Sequence, residues 1–188
     1  TNGFRLTKYQ SICSACHASF LLKSRPMIDT PKISRRFCVA PMLDCTDRHE
    51  RYLARLISKN TVLYTEMITT GALLFGHKPR FLDFDQSEHP VALQLGGSDP
   101  DAMAQSSELV QEWGYDEVNI NVGCPSDRVQ SGSFGACLMQ TPQLVADNIK
   151  QMQAVVDIPV TIKCRIGVDE QDPREALWSL VDASANAG

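Results

Sequence analysis

A thiol placed where an apolar run gives out is the first feature of this 188-residue chain that could do chemistry. The segment reads Asn119-Ile120-Asn121-Val122-Gly123-Cys124-Pro125-Ser126. Gly123 lets the backbone turn and Pro125 fixes the dihedral after the cysteine, so the thiol is held at the exit of a strand. Spacing alone leaves two readings open: an inert buried cysteine, the common fate of free thiols, or a reactive group whose behaviour depends on its surroundings. Other polar or reactive residues fall late in neighbouring runs: Met42, Glu66, Gln94, and Lys163 with Arg165. For Glu66 and Arg165 a structural salt bridge is an equal alternative, and Lys163 also suits a solvated strand end. Cys13-Ser14-Ala15-Cys16-His17 matches the c-type haem attachment pattern, but no haem-binding fold surrounds it and so short a pattern recurs by accident.

The elements that must position these residues alternate. Phe37 to Met42 is a short run of β-formers, followed over Asp47 to Ser58 by Tyr52, Leu53, Leu56 and Ile57 at helical spacing. Val62 to Met67 and Val91 to Gly97 repeat the strand pattern. Asp99 before Pro100 then supplies an N-cap and a proline at the first helical position. Glu117 to Val122 is the fourth predicted strand, Thr141-Pro142 opens a helix reaching Val155, Val160 to Ile166 is the fifth strand, and a helix follows from about Pro173. Strands alternating with helices predict a parallel sheet with right-handed crossovers. Chemistry gathered at the strand ends favours a (β/α)8 barrel over a doubly wound sheet, whose glycine fingerprint after the first strand is missing. The predicted fold class is therefore α/β, a partial (β/α)8 TIM barrel of about its first five βα units, truncated at Ala187-Gly188.

Composition narrows the class further. Hydrophobic residues make up 43% and charged residues 21%, ordinary globular usage. No uninterrupted apolar run approaches the roughly 18 residues of a membrane span, so a soluble protein with no membrane partner is expected. The net charge of −4 conceals an asymmetry. Residues 1 to 36 hold seven bases and one acid, whereas residues 37 to 188 hold 11 bases and 21 acids. An acidic body argues against a broad nucleic-acid surface, because phosphate binding draws on Lys and Arg. Seven scattered cysteines fit a reducing compartment better than a disulfide framework, and no metal is expected. Residues 1 to 35 read as a basic, Ser-rich leader, disordered or targeting, which leaves a cytoplasmic or an organellar location open, plastid or mitochondrial in the second case.

Five segments together resemble the tRNA-dihydrouridine synthases, most closely their A subfamily. They are Ala40-Pro41-Met42, Leu93-Gln94-Leu95-Gly96-Gly97, Asn121 to Ser126, Gly132 to Met139, and Lys163-Cys164-Arg165-Ile166-Gly167, in the expected order from about Arg36 to Gly188. The resemblance implies that residues 36 to 188 are the amino-terminal part of an FMN-binding barrel. It implies reduction of a uracil C5–C6 double bond in tRNA, with hydride from flavin N5 to C6, a proton from Cys124 to C5, and NADPH as electron donor. An ordinary thiol, with a pKa of about 8.5, is largely protonated at neutral pH, as a general acid should be. By the same resemblance Lys163 contacts the flavin, Gln94 hydrogen-bonds its pyrimidine ring, Pro41, Met42 and Leu43 lie at its edge, and Asn121 contacts the tRNA substrate. The family's later flavin-contacting histidine, its phosphate loops and its carboxy-terminal tRNA-binding domain are expected beyond Gly188, so tRNA would be met mainly there. Two other readings stand beside this one: an FMN oxidoreductase acting on a free pyrimidine, which the Gly-Cys-Pro-Ser segment disfavours, and a noncatalytic fragment or RNA-associated module.

Overall fold

Strand after strand, this chain is written in two alternating kinds of residue. Val118, Ile120 and Val122 alternate with Glu117, Asn119 and Asn121, and Leu93 and Leu95 flank Gln94. Successive side chains of a strand point to opposite faces, so each such run divides into an apolar and a polar side. The computed structural model, which describes residues 33–126, 129 and 132–188, realises that division in a sheet of four parallel strands. They are β1 (Leu63–Thr69), β2 (Val91–Gly96), β3 (Glu117–Val122) and β4 (Val160–Cys164), in the order β1-β2-β3-β4. Cys13, Cys16, His17 and all but the last three residues of the expected leader lie outside the described residues.

Helices α1 (Arg48–Ile57), α2 (Thr70–Phe75), α3 (Lys78–Leu82), α4 (Pro100–Glu112), α5 (Pro142–Val155) and α6 (Pro173–Ala187) join and flank the strands. The last three each open on proline, whose missing N–H is no loss where the helix has no partner for it. Asp99 accepts from the N–H of Asp101, and Asp172 accepts from those of Arg174 and Glu175. These bonds satisfy first-turn donors that would otherwise be orphaned. Met103 and Val110 of α4, Val145, Ile149 and Met152 of α5, and Leu180 of α6 pack with Leu93, Leu95, Val118, Ile120 and Val122 in one core. The helices therefore cover the apolar face. Strictly sequential strand order with helices on one face is the winding of a barrel, and among the described residues no strand-order reversal of a doubly wound sheet occurs. The α/β class and the partial barrel stand as predicted.

Three local expectations are corrected. The first predicted strand, Phe37 to Met42, contributes only one parallel bridge, Cys38 to Val62, so the sheet has four strands and a bridge instead of five strands. Pro41 has no N–H to extend the ladder, and the carbonyl of Met42 turns to accept from Cys45 and Thr46. The fifth predicted strand stops at Cys164, two residues before Ile166, while β1 runs two residues past Met67 to Thr69. The spacing of Tyr52, Leu53, Leu56 and Ile57 finds α1 but not its inner face: these four are exposed, and Arg51 and Arg55 are buried instead. Arg51 donates to the Glu88 carboxylate (2.6 Å) and to the Thr46 carbonyl (2.9 Å), and Arg55 to the carbonyls of Glu88 and Pro90. The first helix is held by charge-assisted bonds to a buried carboxylate and to backbone carbonyls, whereas the later ones are held by apolar packing. Among the described residues no helix is long and apolar enough to cross a membrane.

Candidate active site

The polar face of the sheet ends at the thiol. Cys124 follows β3 by two residues, half-buried, and its loop is tied down from three sides. From β3, the Asn121 Oδ1 accepts the N–H of Cys124 at 2.8 Å and that of Gly123 at 3.0 Å. From the residue just after β4, Arg165 donates its Nε–H to the Gly123 carbonyl at 2.7 Å. From the turn Gly135–Gln140, the N–H of Ala136 donates to the Cys124 carbonyl at 2.9 Å. That third tie requires a glycine, because Gly135 has φ +74 and a Cβ there would run into Val129 Cγ1 and the Cys124 carbonyl. The Gly132 to Met139 run thus has a mechanical reason to accompany the cysteine. The thiol itself stands 3.5 Å from the Ser126 hydroxyl.

Gln94 is buried on β2, directly in register with Asn119 of β3. Its Nε2 donates to Asn119 Oδ1 at 2.7 Å, and its Oε1 accepts from Asn121 Nδ2 at 2.8 Å. Its own backbone N–H goes to the Thr65 hydroxyl, because a register shift in β1 between Tyr64 and Met67 takes the ladder away there. Lys163 is in register with Asn121 on β4 and exposed, and its side chain makes no hydrogen bond or ion pair among the described residues. Gln94, Asn121 and Cys124 are therefore joined by direct bonds, and Lys163 stands beside them. Pro41, Met42 and Leu43 are not joined to them: they lie on the loop before α1, Met42 and Leu43 exposed. That loop is fastened to β1 where the Asp44 N–H meets the Glu66 carboxylate at 2.6 Å.

Glu66 and Arg165, open between site and salt bridge in the sequence, thus bond to backbone and shape the two loops that carry Leu43 and Cys124. Gly96 is a packing glycine: a Cβ there would come within 2.8 Å of Phe134 and 2.9 Å of Met67. A cleft of about 350 Å³ opens next to the thiol loop, lined among others by Pro125, Cys137, Gln140, Arg165 and Asp169. Motif reading missed Thr161, Asn119 and Glu117, which continue the polar face below Gln94. The signal was present in the period-two run Glu117, Asn119, Asn121. Burial pushes the thiols of Cys38 and Cys164 up, which keeps both neutral.

The sequence model of the dihydrouridine synthases (Dus) matches residues 38–188. Among curated relatives, the tRNA-dihydrouridine(20/20a) synthase of Escherichia coli (strain K12) is 61% identical over 155 residues, covering 82% of this chain and 45% of its own. That of Vibrio vulnificus (strain CMCP6) is 62% identical over 155 residues, covering 82% and 47%. That of Shewanella oneidensis is 60% identical over 154 residues, covering 82% and 46%. The chain spans less than half the length of these relatives.

Proposed function

The chain belongs to the dihydrouridine synthase family, and on that footing we propose that the whole protein reduces uridine to 5,6-dihydrouridine in tRNA with FMN and NADPH. The observation that carries this reading is the thiol of Cys124, held by Asn121, Arg165 and Ala136 at the mouth of the polar face. The relatives are named for positions 20 and 20a, and these are the uridines to assay.

The residues present fit a flavin ring. Met42 and Leu43 expose apolar surface on the loop before α1, and Lys163 exposes an ammonium with no ion-pair partner among the described residues. Gln94 has one amide N–H and one oxygen lone pair beyond the bonds described above, which suits a pyrimidine edge that both donates and accepts. Pro41, Met42, Leu43, Gln94 and Lys163 would hold the ring, and the ammonium would favour negative charge on it. When bound, the flavin supplies hydride to C6 of the uracil.

The chain's own part is the proton. Cys124 gives its thiol proton to C5, and the ties to its loop hold the cysteine backbone in place while it does so. Asn121 spends its oxygen on that loop and retains one Nδ2–H to offer the uracil. Residues 37 to 188 carry an acid excess, so the phosphates of tRNA are left to basic residues elsewhere in the whole protein.

The test separates the two half-reactions. In the whole protein, Cys124→Ala should leave flavin reduction by NADPH unchanged and lower dihydrouridine formation by about 10²- to 10⁴-fold, the usual cost of losing a general acid. Stopped-flow absorbance reads the first and dihydrouridine mapping of unmodified tRNA the second. Undiminished tRNA reduction would remove Cys124 from the mechanism.

A further inference from the structure

Glu117 begins β3 at the end away from the thiol and is fully buried. Its carboxylate accepts from the Tyr64 hydroxyl at 2.8 Å, from the Thr161 hydroxyl and from the Arg35 guanidinium. Beside a guanidinium the group is an ionised carboxylate, which can only accept. Thr161 must therefore turn its hydroxyl proton to Glu117, and the lone pairs left on its oxygen take the Nδ2–H of Asn119 at 2.9 Å. That choice turns Asn119 Oδ1 to Gln94 Nε2, Gln94 Oε1 to Asn121 Nδ2, and Asn121 Oδ1 to the N–H groups of Gly123 and Cys124.

Three consecutive amides thus point one way. The far end is fixed as firmly as the near one, since backbone N–H groups can only donate. An acceptor-only group and a donor-only pair, at opposite ends of the run, demand the same direction. Reversing any amide between them would set two N–H groups or two oxygens against each other in a buried site, where unpaired polar atoms are costly.

We propose that Glu117 is a positioning residue for Cys124: through Thr161, Asn119, Gln94 and Asn121 it sets the direction of a buried hydrogen-bond relay. That direction decides which amide atoms Gln94 and Asn121 turn along the polar face and keeps the Cys124 N–H bound. Its catalytic consequence rests on the FMN and thiol chemistry proposed above, whereas the relay does not depend on it.

The whole protein, labelled with ¹⁵N on Asn and Gln, provides the test in three variants. Thr161→Val removes the hydroxyl without changing the shape of the side chain, Glu117→Gln replaces the acceptor-only end, and Thr161→Ser keeps the hydroxyl. The side-chain amides of Asn119, Gln94 and Asn121 should be protected from solvent exchange in the native protein and in Thr161→Ser. In Thr161→Val and Glu117→Gln all three should lose protection together, by about tenfold or more, the scale of one unpaired buried polar group. FMN should dissociate about tenfold more readily in the same two variants, and kcat should fall with KM for tRNA unchanged. Should Glu117→Gln not fold, Thr161→Val against Thr161→Ser decides alone. Native protection of all three amides in folded Thr161→Val would overturn the relay. Native kcat in a folded Thr161→Val with unprotected amides would overturn the positioning role. If the native protein takes up no FMN, the functional reading falls and the amide measurement still decides the relay.

Discussion

The two faces of β3 are both buried and do opposite kinds of work. Val118, Ile120 and Val122 are fully buried among helix side chains, in contacts that any apolar group of similar volume could make. Glu117, Asn119 and Asn121 are buried almost as completely, but every polar atom they hide needs a specific partner in a specific orientation. The outer face therefore supplies stability that tolerates exchange. The inner face supplies geometry that does not, and that is the face on which Cys124 ends. On the function proposed above, the reductive chemistry falls to the face on which side-chain orientation is fixed from both ends.

The largest expected effect on stability lies on the outer face. Ile120→Ala, at a fully buried position, should cost about 2–5 kcal/mol in denaturant unfolding, the range for truncating a large aliphatic side chain in a core. FMN affinity per folded molecule should not change, because no bond of the polar face involves Ile120. A loss of affinity in molecules shown to be folded would erase the distinction between the faces. The next effect lies on the inner face. Asn119→Ala takes the acceptor from Gln94 Nε2 and the donor from Thr161, and should cost about 1–3 kcal/mol. Unlike Ile120→Ala it should also weaken FMN retention, since Gln94 is then free to turn. Equal retention in the two variants, by equilibrium dialysis, would show that the relay does not reach the ligand.

Much of this is legible in the sequence, and the illegible parts have physical causes. β2, β3 and the three proline-opened helices follow from alternation and capping, which are local. The segment Asn121 to Ser126 announced a thiol at a strand exit, and the thiol is there. The relay could not be read, because alternation shows that Asn119 and Thr161 share a face but not that they stand opposite one another; register comes from strand pairing. Arg51 and Arg55 turned inward for a related reason. Their distant acceptors, the Glu88 carboxylate and the carbonyls of Glu88 and Pro90, are brought to α1 only by the fold. The first strand shrank to a bridge because of Pro41, a signal visible in the sequence and outweighed there by the β-formers around it.

The smallest expected effect compares a phenol on each side of the sheet under alkali. Tyr115 packs in the outer core and donates its hydroxyl to the Leu82 carbonyl at 3.1 Å; Tyr64 lies on the inner face and donates to Glu117. Both phenols are pushed well above the ordinary value of 10, Tyr115 chiefly by burial, Tyr64 by burial and then by the bond to Glu117 and its negative charge. A raised pKa means the folded state holds the proton more tightly than the unfolded chain. The corresponding stability is complete below about pH 10 and is lost as pH rises from there towards the folded-state value. For Tyr115, which is nearly inaccessible, the loss should approach about 1.4 kcal/mol per pH unit over that window. Melting temperatures taken from pH 8 to pH 11 should therefore hold level and then fall, and Tyr115→Phe should fall less steeply than the native protein. Tyr64→Phe should also flatten the fall, and it should do so less in a Glu117→Gln background, where the charge opposing phenolate is gone. If Tyr64→Phe flattens the fall equally in both backgrounds, burial alone raises that phenol and Glu117 exerts no charge on the inner face.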